Sequence, residues 1–381
     1  MWKSIKSKII LKKISKILSI KKLLQIIKLN KQIKKSINIT IIDYQKFNQI
    51  EIEFTLSVEK KILDFDFGEP NDKKYFHYFI DDRKTELKRD KDKDKEIISN
   101  KFKLVIDHKV ESLSGLFKSI EELKEIKFIK WNKTNINDIS FMFSNCYHLE
   151  KILNFSIIKS QNITNMSYLF QGCKSLEEID LSNMNTANVI DMGNMFERCK
   201  ALKRINVSNF NTSKVKNMSS MFQECLSIRE LDLSNFDTSN VYNMGYMFLG
   251  CESLYEVNLA NFNTSKVIKM CDLFYGCKFL EKLDLSNFDT RKVDNMYGMF
   301  SECKDLKELN VSSFNTAKVI NFNNMFQGCS SLTKVDISKF TFNDNSKMGG
   351  MFYECSDALK NDIKNQNKGI KDEAFLKAVK E

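Results

Sequence analysis

Residues 231–251 read LDLSNFDTSNVYNMGYMFLGC. Leu231, Asp232 and Leu233 point in, out and in, which predicts a short strand. Ser234 to Asn240 is rich in turn formers, with Phe236 reaching inward. Met244, Met247, Phe248 and Cys251 then fall at i, i+3, i+4 and i+7, the spacing of one helical face. The stretch therefore predicts a strand, a turn, and one or two turns of helix pressing Met, Phe and Cys onto the back of the strand. Leu254 leads into a second strand at Val257 to Leu259.

The same unit recurs. Phe143, Phe170, Phe196, Phe222, Phe248, Phe274, Phe300, Phe326 and Phe352 are separated once by 27 residues and then seven times by 26. A cysteine follows each by three residues, from Cys146 through Cys173, Cys199, Cys225, Cys251, Cys277, Cys303 and Cys329 to Cys355. A degenerate earlier copy has Leu116 and Phe117 but Ile120 in the cysteine position. A fixed period in the twenties is the signature of a solenoid. The expected fold is an α/β solenoid of about nine or ten units over residues 102–355, with a parallel β-sheet on one face and short helical turns on the other.

The pattern LxxLxLSxFxTSxVxxMxxMFxxC, clearest at 231–251 and in LDLSNFDTRKVDNMYGMFSEC at 283–303, resembles the BspA-like class of leucine-rich repeats. That class occurs in surface proteins of bacteria, mycoplasmas and some protists. The resemblance covers about two thirds of the chain. It implies a solenoid with a binding or adhesive role, a cell-surface location and no catalytic site. No export signal is recognisable near the start, and the first cysteine, Cys146, is too distant for lipid attachment. A cytoplasmic or membrane-associated location therefore stands beside the surface one.

The flanking segments differ from the repeats. Of 60 basic residues, twelve lysines fall in residues 1–36 with no acid, leaving 48 basic against 49 acidic residues beyond. The net charge of +11 thus belongs to one segment, and no nucleic acid is expected on the repeat body. Ile10, Ile14, Ile17 and Leu18 can share a helical face, so 1–36 reads as a basic amphipathic segment for an anionic membrane surface, or as a Lys-rich tail. Its apolar runs are too short to span a bilayer. Residues 37–101, with INITII, QIEIEFTL and KYFHYFI, predict a small β-rich module or N-terminal cap, and 356–381 a C-terminal helical cap or tail, its helix at Lys371 to Lys380.

Nine cysteines stacked in register would form a row about 5 Å apart, too extended for four ligands to converge on one zinc. They share a face with Met and Phe, which predicts buried thiols. Cys271 lies off the row, where other units carry Gly193, Ser219 or Gly245, and is the candidate accessible thiol. Thr186, Thr212, Thr238, Thr264, Thr290 and Thr316 are expected to cap the turns that follow them. Asn183, Asn209, Asn235, Asn261 and Asn287 are expected to form a buried row bonded to neighbouring backbone.

Function, on this reading, lies on the outward side of the strands. One column runs Asp180, Asn206, Asp232, Asn258, Asp284, Asn310 and Asp336, with carboxylate and amide alternating without a slip. An Asn between two Asp separates their charges and can hydrogen-bond to both; the alternation also fits duplication of a two-unit block. A second column runs Glu178, Arg204, Glu230, Glu256, Lys282, Glu308 and Lys334. Mixed charge on a strand face suits a protein partner. No phosphate loop, dinucleotide fingerprint or HExxH motif is present, and nothing calls for a cofactor. The readings that compete with an interaction scaffold are an enzyme sited in 37–101, where His77 and Asp81 would be the residues, and a polyanion-binding role for the Lys-rich N-terminus.

Overall fold

The computed structural model describes residues 48–61, 75–80, 86–87, 98–107, 110–132, 135–158 and 160–378. The readings made for 1–36 and for Asp81 lie outside these residues. The first described element is a sheet of six strands: β1 (Ile50–Lys61), β2 (Phe76–Ile80), β3 (Glu86–Leu87), β4 (Ile98–Ile106), β5 (Leu123–Trp131) and β6 (Lys151–Leu153), in the order β3-β2-β4-β1-β5-β6. Ile50, Ile52, Phe54 and Leu56 are buried while Glu51, Glu53 and Thr55 are not, the alternation of a strand with one face on a core. β5 is antiparallel to β1 on one side and parallel to β6 on the other. The sheet therefore reaches into the repeats as far as β6.

The repeats wind as coils of 26 residues. Six successive coils each contribute a three-residue strand: β7 (Glu178–Asp180), β8 (Arg204–Asn206), β9 (Glu230–Asp232), β10 (Glu256–Asn258), β11 (Lys282–Asp284) and β12 (Glu308–Asn310). The strand begins one residue before the expected Leu231, so that a single buried or half-buried apolar residue lies between two exposed polar ones. The strands pair in parallel register two at a time, β7 with β8, β9 with β10, and β11 with β12. Half a coil away a second ladder of single parallel bridges runs from Ser112 through Asp138, Asn165 and Asp191 to Lys347, stepping one coil each time.

The expected helical turns are absent from the described coils, which corrects the α/β assignment. The Met-x-x-Met-Phe-x-x-Cys segment is two β-turns in tandem. In the coil of Met218, the amide of Met221 donates to Met218 O (3.3 Å) and that of Cys225 to Phe222 O (3.1 Å). The third residue of each turn, Ser220 (φ 54) and Glu224 (φ 55), is left-handed, as type II turns require. The amides of Ser220, Phe222 and Glu224 reach the next coil at Gly245 O, Met247 O and Leu249 O, at 3.0, 2.9 and 2.7 Å. A helix would have kept those bonds within the segment. Each turn brings its first and fourth residues to one side, so two turns in tandem generate the same i, i+3, i+4, i+7 inward pattern as a helix. The fold is an almost all-β solenoid, and its single α-helix among the described residues is α1 (Asp357–Gln366).

The interior is built of columns. Phenylalanine rings stack from Phe117 to Phe375 with centroids 5.1–6.0 Å apart. Beside them every ladder thiol donates to a phenylalanine carbonyl of the preceding coil, at 3.0 Å for Cys146 to Phe117 and 3.1 Å for Cys225 to Phe196. The threonine hydroxyls are buried and bridge coils instead of capping their own turns: Thr238 donates to Asn263 O (3.0 Å) and accepts from Asn263 N (2.8 Å). The asparagine row does bond to neighbouring backbone, Asn235 reaching Val207 O and Phe210 O at 3.1 Å, but its members are exposed where burial was expected. At the C-terminal side, the helix expected at Lys371 to Lys380 lies instead at α1, capped by Ser356, whose hydroxyl accepts from Leu359 N. Asp372–Phe375 form a short 3₁₀ turn that imitates a further coil, with Phe352 N donating to Ala374 O at 2.7 Å.

Candidate functional site

The in-register strands bring the expected residues together as two exposed columns. Asp180, Asn206, Asp232, Asn258, Asp284 and Asn310 form one, and Asp336 continues it beyond β12 without strand pairing. Each Asp folds its carboxylate back on its own coil: Asp180, Asp232 and Asp284 accept from the amides of Ser182, Ser234 and Ser286 at 3.0 Å. The Ser234 amide and hydroxyl, with Asn258 next to them, hold the Asp232 carboxyl below its ordinary range. The Asp/Asn alternation coincides with the strand pairing, since every pair joins one Asp coil to one Asn coil.

The other column is paired internally at both ends. Arg204 bonds Glu178, and Lys282 lies 2.6 Å from Glu308. Alongside, Lys203 meets Glu177 at 2.9 Å and Lys307 meets Glu281 at 3.1 Å. The centre differs: Glu230 and Glu256 stand opposite each other in the β9–β10 register, like charge facing like charge. Beside them are two aromatic side chains that the sequence reading did not single out. Tyr255 is 45 % exposed and donates its hydroxyl to Glu230, which lays its ring across the coils. Phe279 is 57 % exposed and lines a shallow concavity of about 710 Å³ with Arg229, Tyr255, Glu256 and Lys282. A usable signal was present: the positions equivalent to Phe279 are Ser175, Ala201, Ser227, Ser253, Asp305 and Ser331. A large apolar side chain in a column of small or polar ones marks a place that packing alone does not explain. A second, larger open concavity lies over β7 and β8 and includes Arg204 and Glu230.

The ladder thiols are buried and free of disulfides, and burial pushes Cys251, Cys303 and Cys355 up to about 12. Cys271, expected to be accessible, is only 9 % exposed and lies under Tyr246, whose hydroxyl is hydrogen-bonded to its thiol. His77 sits between two carboxylates, with Nδ1 2.6 Å from Glu86 and Nε2 3.4 Å from Asp107. Among the described residues no group of three His, Cys, Asp or Glu is placed to hold a metal, and no helix is long and apolar enough to cross a membrane.

Among solved structures, a T. pallidum leucine-rich repeat protein is 14 % identical over 70 % of this chain and 78 % of its own, with a TM-score of 0.22. The TLR13–ssRNA13 complex is 16 % identical over 58 % of this chain and 37 % of its own, with a TM-score of 0.19. No curated protein matches the chain. A family profile matches residues 111–229, 154–258, 202–309 and 279–372, overlapping matches that together run the length of the coils. The chain is a leucine-rich-repeat-like solenoid and belongs to the family described as Mycoplasma protein of unknown function, DUF285.

Proposed function

We propose that the protein is a non-enzymatic interaction scaffold of the BspA-like adhesive kind, which takes a protein partner on its strand face. The observation that carries this reading is the centre of that face. Glu230 and Glu256 oppose each other there, with Arg229 at the side of the pair, beside exposed Tyr255 and Phe279. Like charges in register are destabilising, and the ion pairs on either side show that the same columns accommodate a counter-charge elsewhere. A partner with a Lys or Arg next to an apolar side chain would relieve the repulsion and cover both rings. Aromatic anchors flanked by polar residues are where interfaces concentrate their binding energy. Asp180, Arg204, Asn206, Asp232, Asn258, Lys282, Asp284, Glu308, Asn310 and Asp336 form the polar surround.

The test is capture by the full chain, compared with the chain carrying Asp232→Lys and Asp284→Lys and with a Phe279→Ser variant. A specific partner retained by the first and lost by both variants is the expected result. Capture indifferent to all three substitutions defeats the strand-face reading.

A further inference from the structure

Half a coil from the strands, on either side of the bridge ladder, the solenoid presents a face of different character. Buried Val215, Val241, Val267, Val293 and Val319 anchor it from within. Outside them Ile190, Tyr242, Ile268 and Ile320 occupy four of six equivalent positions along the coils, the other two being Lys216 and Asp294, and are 42–54 % exposed. The bridges hold these coils in register, so the four side chains form a ridge along the solenoid axis. It spans five coil steps, roughly 25 Å at the spacing of neighbouring strands.

Lysines flank the ridge. Lys214, Lys266, Lys292 and Lys318 are exposed on one side, Lys269 on the other, and Lys216 within the ridge line itself. Between Asn188 and Asn321 these three columns hold one exposed carboxylate, Asp294. Half-buried Asp191 is engaged by Gly193 N and Asn217 Nδ2 at 2.8 and 3.0 Å. At the border Asp237 is tied to Ser239 N, and Asp289 to Arg291. Lys214 and Lys266 hydrogen-bond to the neutral amides of Asn188 and Asn240, while the charges of Lys266 and Lys292 also act on the border carboxylates Asp237 and Asp289. The strand face neutralises its cations with glutamates; in these three columns six lysines stand against Asp191 and Asp294, a surplus of four positive charges.

We propose that this ridge docks the protein peripherally on an anionic lipid bilayer. The concavity of about 450 Å³ beside the ridge is lined largely by polar side chains, among them Asn194, Asn243, Lys269 and Asp294, and does not contain the protruding isoleucines; a fluid interface receives protruding apolar side chains without needing a matching shape. Tyrosine is at home at the headgroup level, and the flanking lysines complement anionic headgroups. The site is separate from residues 1–36 and does not depend on the strand-face reading.

The test uses the full chain and sedimentation with vesicles of phosphatidylcholine alone or mixed with phosphatidylserine. The chain is expected to bind the mixed vesicles, less so as salt is raised, since each lysine near the surface contributes roughly fivefold. A Lys266→Glu, Lys269→Glu, Lys292→Glu, Lys318→Glu variant should lose more than tenfold. An Ile190→Ser, Ile268→Ser, Ile320→Ser variant should lose severalfold, with its unfolding midpoint unchanged because all three side chains are exposed. If either variant fails to fold, the other decides. Equal binding by all three proteins would assign the affinity to the N-terminal lysines and overturn the proposal. So would binding of poly(U) RNA, sensitive to the lysine variant, by a chain that ignores the vesicles.

Discussion

At the position of Cys225 a side chain must fill a small apolar slot and supply one proton to Phe196 O, whose other lone pair is taken by Cys199 N. A thiol is a small hydrophobe with a weak donor and does both at little desolvation cost. Serine would keep the donor and add a hydroxyl to desolvate, while alanine would drop the donor and leave a void. Thiol reagents should therefore modify few or none of the ten cysteines in the native protein and all ten after denaturation without reductant; brisk native labelling would contradict the columns. Asp272 is the exception among these interior choices. It is buried, left-handed at φ 50, and lies against Gly298, where a Cβ would stand 2.1 Å from its Oδ1. Burial raises its pKa from 3.8 to about 7. An acid whose folded pKa is raised penalises the folded state as it ionises, so no penalty exists below about pH 4, it grows to pH 7 and is complete above. Asp272→Asn should thus stabilise the protein above pH 7 by up to roughly 4 kcal/mol and change little at pH 4. Urea unfolding at both ends of that range checks it; a difference independent of pH would mean that the carboxyl is not the cause.

At the scale of elements, the tandem turns and the helix they replaced make opposite demands on Ser220. In a helix Ser220→Gly would cost and Ser220→Ala would stabilise; at φ 54 glycine is at ease and alanine is not. Ser220→Gly should be more stable than Ser220→Ala by about 1 kcal/mol in chemical unfolding, and the reverse order would restore the helix. This is also where the sequence ceased to be informative. The period, the inward set Met218, Met221, Phe222 and Cys225, and the exposed columns of Asp, Asn and Glu were all readable, because burial depends on spacing. Helix and tandem turns share that spacing, and the glycines scattered at 115, 172, 250, 276, 298, 328 and 350 were the trace that left-handed residues left in the sequence. The Asp/Asn alternation was readable too, but its counterpart, strands pairing two coils at a time, depends on backbone geometry that spacing does not encode. In the N-terminal sheet, His77 joins β3 to the end of β4 through Glu86 and Asp107. Burial pulls its pKa down, but bonds to and charges on the two carboxylates outweigh that and raise it above 6.5. Its contribution is therefore complete below pH 6.5 and is lost as pH rises through the folded pKa. His77→Gln should destabilise the protein near pH 5 and approach wild type at alkaline pH; equal loss at both would point to packing instead of charge.

For the whole molecule the problem is the two ends of the stack, since a coil without a neighbour exposes an aromatic ring and unpaired backbone groups. At one end the six-stranded sheet covers the first coil, with Phe54 set edge-on to Phe117 at 5.4 Å. At the other, α1 and the 3₁₀ turn stand in for the next coil: Gly350 N donates to Glu373 O (3.0 Å), Phe352 N to Ala374 O (2.7 Å), and Phe375 stacks on Phe352 at 6.0 Å. The two faces proposed above for a protein partner and for lipid lie half a coil apart, so a chain lying on a bilayer by its ridge would turn its strands away from the lipid. That arrangement requires that coils not stack end to end between molecules. Cutting the chain after Asn367 would uncover the Phe352 ring and the amides of Gly350 and Phe352 on an edge already shaped to accept another coil. The truncated protein should self-associate with rising concentration in size-exclusion chromatography with light scattering, and the full chain should not. A Phe375→Ser chain, which keeps the backbone bonds and loses only the stacked ring, should associate less than the truncation. Truncated protein that stays the size of a single chain would show that α1 alone protects the edge and that the 3₁₀ turn is dispensable.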